Sequence, residues 1–207
     1  DVCSSDLVTS KPALFKAAWA NRYTGIVEYR PKHSLVDVDA KTKTLKFEFN
    51  DDIKADVLNV LPPMRAGSIA VKTGLANMNG RWCEVDFLTF ESKVAPNVHV
   101  IGDSIQVAPL MPKSGHMANQ HGKTTAAAIV AILSGAEVNQ MPIYNNTCYS
   151  FVSADDVIHV ASVHRYDAEK RTMLTVPGAG GVSAAANPLE GEYAKSWARN
   201  IWADMLT

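Results

Sequence analysis

The 207-residue chain is long enough for one large domain or two small ones, each with its own core. Its net charge is −1, with 47% apolar and 20% charged residues, so it carries no basic field that would attract nucleic acid or anionic lipid. It contains no stretch of about 18 or more apolar residues, so the sequence predicts no membrane-spanning helix.

The first seven residues, DVCSSDL, do not fit the pattern that follows them. They contain neither an initiator Met nor the apolar segment of a signal peptide. The heptapeptide matches the translation of a common sequencing-library adapter, and we interpret residues 1–7 as an assembly artefact; a genuine disordered N-terminus is the alternative. On the first interpretation Cys3 has no biological role, and Cys83 and Cys148 are the two cysteines that remain.

Short helical and strand-like patterns alternate through the first quarter of the chain. Residues 11–21 have the apolar spacing of an amphipathic helix. Residues 45–49 alternate apolar and charged side chains, which is the period of a half-buried antiparallel strand. The strand-like runs predicted here are residues 25–29, 35–38 and 45–49, and a polar turn joins the last two.

Two apolar runs favour strands that are buried on both faces, as in a parallel sheet. They are residues 57–61, which stop at a Pro-Pro pair, and residues 97–101, which stop at a Gly-Asp pair. A short helix closed by a glycine is predicted between them at residues 69–73. A long helix rich in small residues is predicted over residues 114–133 and ends at Gly135. A strand, a Gly-Asp turn and a helix form the repeating unit of a doubly wound α/β fold.

The pattern changes beyond residue 141. Residues 157–163 and 173–176 have the composition of a strand and its hairpin partner. Residues 177–187 are rich in Gly and Ala and are interpreted as a loop, and residues 193–206 as a helix with an aromatic face. The order of elements therefore predicts the remainder of one α/β domain, a second α/β piece and a small α+β domain.

A candidate cofactor site follows the second buried run. Asp103 would lie at the carboxyl edge of a sheet, where it can accept hydrogen bonds from ligand hydroxyls, while Gly102 lets the backbone approach closely. An Asp that merely caps the next element is the alternative. The helix start at residues 112–116 presents N–H groups whose partial positive charge can stabilise a reduced flavin. Together these features resemble the late FAD-binding segment of flavoproteins with two dinucleotide-binding domains.

The two remaining cysteines differ in their surroundings. Cys148 stands among Asn, Thr and Ser, which we interpret as a loop, and a loop thiol is more often reactive than a packed one. Cys83 is interpreted as structural, and a disulfide between the two remains open. The six His residues have no metal-ligand spacing, and no Cys-x-x-Cys-His haem motif occurs.

From about residue 14 to residue 206 the chain resembles the flavin-binding subunit of flavocytochrome c sulfide dehydrogenase. The resemblance rests on several segments in the same order rather than on one motif. Those segments are ADVLNVLPPMRAG at residues 55–67, VHVIGD at 98–103, MPKSG at 111–115, NTCYS at 146–150, and residues 196–206.

The resemblance implies an α/β fold that is the C-terminal part of a glutathione reductase-like flavoprotein with two dinucleotide-binding domains, followed by a small α+β C-terminal interface domain. The implied boundaries are residues 8–88 for the remainder of the NAD-like domain, 89–137 for the late segment of the FAD-binding domain, and 138–207 for the C-terminal domain. The Gly-rich fingerprint, the covalent FAD site and the first redox cysteine of the family lie upstream of this sequence. The chain is therefore expected to be a fragment that does not turn over alone.

The resemblance also implies an activity. Sulfide is oxidised to sulfur or polysulfide at a redox-active cystine beside FAD, and electrons pass to a c-type cytochrome subunit in the periplasm. Cys148 matches the second cysteine of that cystine, and no metal site is implied. The residues matching cofactor-binding positions are Pro62, Pro63, Gly102, Asp103, Ser104, Lys113, Ser114, Gly115, Met117, Ala118, Asn119 and Trp197.

Three other classes of protein compete with this interpretation. A sulfide:quinone oxidoreductase would need a longer amphipathic C-terminal extension than residues 201–207 provide. A pyridine-nucleotide disulfide reductase would carry a Cys-x-x-x-x-Cys motif early in its chain. A non-catalytic module that docks a cytochrome would bind no FAD.

Overall fold

The computed structural model describes residues 10–206 of the chain. They form two compact units, one within Asp1–Met64 and the other within Arg65–Thr207. The adapter interpretation concerns residues 1–7, which lie outside the described residues. Across residues 10–206, no helix combines the length and the apolar content that crossing a bilayer requires.

The first unit contains one helix and a small antiparallel sheet. Helix α1 spans Pro12–Arg22, and the sheet has strand order β1 (Leu35–Asp39), β2 (Thr44–Phe47) and β3 (Ile53–Lys54). Asp39 Oδ1 accepts hydrogen bonds from the backbone N–H groups of residues 41 and 42, which closes the β1–β2 turn. The predicted helix and hairpin are confirmed.

Two strands predicted in the first unit are wrong. Residues 25–29 form no strand, and the chain turns after α1, where the N–H groups of Ile26 and Val27 both donate to the carbonyl of Tyr23. Residues 57–61 form no regular element, and Val57 and Leu61 are 83% and 71% exposed. A strand buried on both faces requires covering layers and neighbouring strands, and the three-stranded sheet of this unit does not include the segment.

The second unit is organised around helix α3, which spans Gly115–Ser134. A short helix, α2 (Ser68–Lys72), and a 3-10 turn, Gly102–Ser104, precede it. Ser114 caps α3 because its hydroxyl accepts the N–H of Met117 at 3.1 Å, and Gly135 ends the helix in the left-handed conformation at φ +71°. The predictions of both helices are confirmed.

An antiparallel sheet and a last helix complete the second unit. The strands are β4 (Ile143–Phe151), β5 (Val157–Asp167) and β6 (Thr172–Val182), paired in that order, and helix α4 spans Pro188–Leu206. The predicted hairpin is confirmed, but residues 177–182 continue β6 and are not a loop. Gly180 explains the error, since it approaches the Ala161 carbonyl so closely that a Cβ would overlap it.

The predicted buried strand at residues 97–101 is also wrong. Within the described chain, residues 97–101 form a single isolated antiparallel bridge, between His99 and Glu91. A separate parallel bridge, outside this segment, joins Cys83 to Ile105. The architecture is thus a mixture of helices and antiparallel sheets. One core joins the segments on both sides of α3 to the sheet: Val85, Phe87, Phe90, Ile105, Ala108, Met111, Met117, Tyr144 and Met173.

Candidate functional site

The Gly-Asp turn packs directly against helix α3. Gly102 is buried with φ +68°, and a Cβ at this position would lie 3.2 Å from Ala118 Cβ, so only glycine fits both the backbone angle and the contact. The N–H of Gly102 donates to Nδ1 of His121 at 3.2 Å. Helix α3 therefore fixes the position of the Gly-Asp turn through residues of its first two turns.

Lys113 holds the same turn from its other side. Its ammonium donates to the backbone carbonyls of Asp103 (2.9 Å) and Ile105 (2.6 Å), and it lies 4.0 Å from the ring centroid of Trp82. Burial lowers the pKa of Lys113, and the negative charge of Asp103 partly offsets that effect. The side chain of Asp103 remains on the exposed surface of the turn, where a ligand can reach its carboxylate.

A chain of hydrogen bonds runs from the start of α3 to Cys148. The Ser114 hydroxyl, which accepts the N–H of Met117, donates to Asn146 Oδ1 at 2.6 Å. Asn146 Nδ2 in turn donates to Cys148 Sγ at 3.1 Å. Asn146 and Cys148 are two residues apart on β4 and so project from the same face of the strand. The loop predicted around Cys148 is wrong, because the residue lies within the edge strand β4 and pairs with Val160 of β5.

His116 connects the first turn of α3 to both the sheet and α4. Its Nδ1 accepts the N–H of Thr147 at 3.2 Å, so the neutral ring carries its proton on Nε2. The ring meets that of Trp197 nearly edge to face, with centroids 5.4 Å apart. Burial lowers the pKa of His116, which favours this neutral form.

An open groove of about 530 Å³ lies between α3 and α4. Space is open beside Gly115, where a Cβ would meet no atom within 4 Å. At the other end Asp204 accepts hydrogen bonds from Asn119 (2.9 Å) and Lys123 (2.7 Å). The groove therefore has apolar and aromatic walls at the positive end of a 20-residue helix. Its lining residues are Gly115, Ala118, Asn119, Trp197, Ile201, Trp202 and Met205.

Most of the residues predicted to form a site lie around the start of α3. Met117 is different in that its side chain is 1% exposed and belongs to the core, so only its backbone can face a ligand. Pro62 and Pro63 are exposed residues of the first unit and lie in no helix or strand. The residues within the second unit are Gly102, Asp103, Ser104, Lys113, Ser114, Gly115, Met117, Ala118, Asn119, Cys148 and Trp197.

Three side chains of this region were not predicted from the sequence: His116, His121 and Asn146. Each makes its contact across a long sequence separation, of 31 residues for His116, 19 for His121 and 32 for Asn146. The two histidines lie five positions apart on α3, which is not the i, i+3 or i, i+4 spacing that places two side chains on one face of a helix, so helical periodicity does not pair them.

Cys83 and Cys148, both within the described chain, carry thiols that are not bonded to each other. The disulfide left open by the sequence is therefore not formed. Cys83 is fully buried and burial raises the pKa of its thiol, which fits a packed structural cysteine.

Comparison with known families agrees with a flavin site. Residues 140–206 match the family described as "Flavocytochrome c sulphide dehydrogenase, flavin-binding", and residues 2–62 match "Sulfide dehydrogenase (flavocytochrome c) flavoprotein chain, central". Together the matches cover more than half of the chain, and the segment between them contains the Gly-Asp turn and α3. The chain is a flavoprotein whose cofactor is FAD. It belongs to the family of flavoprotein subunits of flavocytochrome c sulfide dehydrogenase.

The residues of the second unit fit such a cofactor. The Asp103 carboxylate is exposed and can accept hydrogen bonds from ligand hydroxyls, and the buried Gly102 leaves no side chain in the way. The open space beside Gly115 gives a ligand access to the positive end of α3. Residues 10–206 contain no group of three His, Cys, Asp or Glu side chains that could hold a metal ion.

His121 should make the second unit sensitive to acid. Burial lowers the pKa of His121 from an ordinary value of 6.5 to about 4, and the positive charge of Lys113 adds to the effect. The unfolded chain therefore takes up a proton at higher pH than the folded one, so stability falls as the pH drops from 6.5 to 4 and levels off below. We expect a loss of about 3 kcal/mol over this range from this residue. Denaturant unfolding at several pH values, with His121→Asn as the reference, measures it; parallel curves for the two proteins would contradict the prediction.

Proposed function

We propose that the chain is the C-terminal part of a sulfide dehydrogenase flavoprotein subunit. The complete subunit oxidises sulfide at a redox-active cystine that contains Cys148, and its electrons pass through FAD to a c-type cytochrome subunit in the periplasm. The observation that supports this most directly is the hydrogen-bonded path from the Ser114 cap through Asn146 to Cys148 Sγ. It connects a thiol to the helix start beside which a flavin would bind.

The architecture proposed for the complete subunit is glutathione reductase-like, with two dinucleotide-binding domains and a C-terminal interface domain. Residues 8–88 then belong to the NAD-like domain, 89–137 to the FAD-binding domain and 138–207 to the interface domain. The exposure of the apolar side chains of Val57 and Leu61 supports a larger complete subunit, because further residues of that subunit would cover them. The 207-residue chain alone should neither hold FAD tightly nor turn over.

Each site residue then has a role toward the cofactor. Asp103 accepts hydrogen bonds from the hydroxylated flavin side chain, and the start of α3 at Ser114 and Gly115 stabilises negative charge beside it. Lys113 keeps the turn closed through its two carbonyl contacts. Trp197 forms a wall of the groove. The remaining cofactor-binding positions, Pro62, Pro63, Ser104, Met117, Ala118 and Asn119, are assigned on the family resemblance.

The chemistry begins with thiol–disulfide exchange. Hydrosulfide attacks one sulfur of the cystine, a new S–S bond forms to that cysteine, and the other cysteine leaves as a thiolate. Cys148 is one of the two cysteines, and the other lies outside residues 1–207. A further hydrosulfide then attacks the outer sulfur of this persulfide, so that the new S–S bond breaks, the oxidised sulfur leaves as sulfur or polysulfide, and the cysteine is released as a thiolate. FAD, when bound, would supply the two-electron acceptor that returns the cysteine pair to a disulfide and the route for single electrons to the haem.

Anaerobic titration of the complete flavoprotein subunit with sodium sulfide tests this function. We expect sulfide to bleach the visible absorbance of the flavin, and oxidised c-type cytochrome to restore it. A soluble quinone serves as the matched acceptor and should restore the absorbance much more slowly. A flavin that sulfide does not bleach would exclude the proposed activity, and faster reoxidation by quinone than by cytochrome would exclude the proposed acceptor.

A further inference from the structure

The imidazole of His121 is held rigidly in the core of the second unit. The residue is 1% exposed, and its ring stacks on Phe90 with centroids 4.5 Å apart and planes tilted by 31°. The ring of Tyr144 meets it nearly edge to face at 5.3 Å. Because Phe90 and Tyr144 pack against the imidazole of His121 on two sides, the two ring nitrogens have fixed orientations.

The two nitrogens of His121 have unequal surroundings. Nδ1 accepts the backbone N–H of Gly102 at 3.2 Å, so the neutral ring must carry its proton on Nε2. Nε2 is buried and has no hydrogen-bond partner among the described residues. A buried donor without an acceptor costs free energy, whereas a phenylalanine could make the same ring contacts without that cost. What the histidine adds over an apolar ring is the acceptor for Gly102.

The hydrogen bond to His121 is made by the residue immediately before Asp103. Gly102 begins the 3-10 turn that contains Asp103. Its backbone is in the left-handed region, at φ +68°. Lys113 holds the carbonyls of Asp103 and Ile105 on the other side. His121 and Lys113 thus constrain the N–H and C=O groups of one short turn whose carboxylate faces the exterior.

We propose that His121 is a positioning residue that acts through Gly102 to fix the Asp103 carboxylate for the flavin side chain. This inference rests on the proposed role of Asp103 as a ligand of the cofactor. His121 itself is buried beneath the turn and does not touch the ligand. Its contribution is to hold the acceptor in place before the cofactor arrives, so that binding does not have to order the turn.

Two substitutions separate the hydrogen bond from the packing. His121→Phe keeps an aromatic ring against Phe90 but removes the acceptor for Gly102 N–H. His121→Asn keeps an acceptor near the position of Nδ1 but loses the ring. In the complete flavoprotein subunit we expect His121→Phe to accelerate amide hydrogen exchange at Gly102 about tenfold or more and to lower the FAD content per polypeptide. His121→Asn should slow the exchange at Gly102 relative to His121→Phe and should bind more FAD than that variant. Thermal unfolding should rank the two variants in the opposite order, because Phe preserves the packing.

The Asp103→Ala variant separates this inference from the proposed function. Alone, it should lower the FAD content and leave exchange at Gly102 unchanged. In the Asp103→Ala background, His121→Phe should lower the FAD content no further, since both act on one contact. An unchanged FAD content in Asp103→Ala would overturn the role of Asp103 as a ligand of the cofactor. Unchanged amide exchange at Gly102 in His121→Phe would separately overturn the claim that His121 holds the turn in place. A further loss of FAD in the double variant, or FAD content that merely follows thermal stability, would overturn the inference about His121.

Discussion

Replacement of Cys148 by serine should abolish sulfide-dependent reduction of the cytochrome while the flavin stays bound. A hydroxyl cannot form the disulfide that sulfide attacks, so we expect kcat/KM to fall by about 10³-fold or more. The serine oxygen occupies nearly the same position as the sulfur and can accept the same hydrogen bond from Asn146 Nδ2, so the surrounding strand should not change. Steady-state cytochrome reduction and the flavin absorbance of the purified subunit measure the two effects.

Cys83→Ala is the matched control for this experiment. Cys83 is also a cysteine of the second unit, but it is fully buried and lies apart from the hydrogen-bonded path through Asn146. The variant should lose some stability because a small cavity forms, and it should retain sulfide oxidation within about twofold of the parent. Near-normal cytochrome reduction by Cys148→Ser, or equal losses in both variants, would exclude Cys148 as a member of the redox pair.

Elements that are completed by nearby residues could be predicted from the sequence. Helix α3 carries its own signals, with Ser114 as the N-terminal cap and Gly135 as the left-handed C-terminal residue. The β1–β2 hairpin needs only the alternation of its side chains and the turn closed by Asp39. Family resemblance supplied FAD and the flavoprotein family, which the matches at residues 2–62 and 140–206 confirm.

Elements that depend on distant partners were predicted wrongly. Residues 57–61 and 97–101 are apolar enough for buried strands, but an apolar run becomes a strand only where neighbouring strands pair with it. Cys148 lies in a polar run that resembles a loop, and its strand forms because residues 157–165 pair with it along its whole length. A polar residue of this strand contacts the start of α3, where Asn146 Oδ1 accepts a hydrogen bond from the Ser114 hydroxyl.

The same limit applies to the candidate site. The positions of Gly102, Asp103 and Cys148 could be assigned by resemblance, because each belongs to a short motif. The contacts that organise them could not, since His121 and Asn146 act over 19 and 32 residues of sequence. The sequence thus proposes which residues would meet a cofactor, and the structure adds the long-range contacts that those residues make.

Replacement of Gly191 by alanine should strongly destabilise the second unit. Gly191 is a buried residue of α4, and a Cβ there would overlap the backbone carbonyl oxygen of Asp155 and approach Val157. A backbone carbonyl cannot rotate away as a long side chain would, so α4 must shift off the sheet. We expect a loss of about 2–4 kcal/mol in the free energy of unfolding, measured by denaturant titration.

Gly122→Ala is the matched control, because Gly122 is also a helical glycine, in α3, whose Cβ would make only an ordinary contact of 3.7 Å with Ile101 Cδ1. Alanine in a helix interior should stabilise the unit by up to about 1 kcal/mol, so the two substitutions should have opposite signs. The shift of α4 also carries Trp197 away from His116, so Gly191→Ala should lower the FAD content per polypeptide of the complete subunit while Gly122→Ala does not. Equal stability of the two variants would mean that α4 does not pack on the Asp155 backbone, and would remove the basis for the groove between α3 and α4.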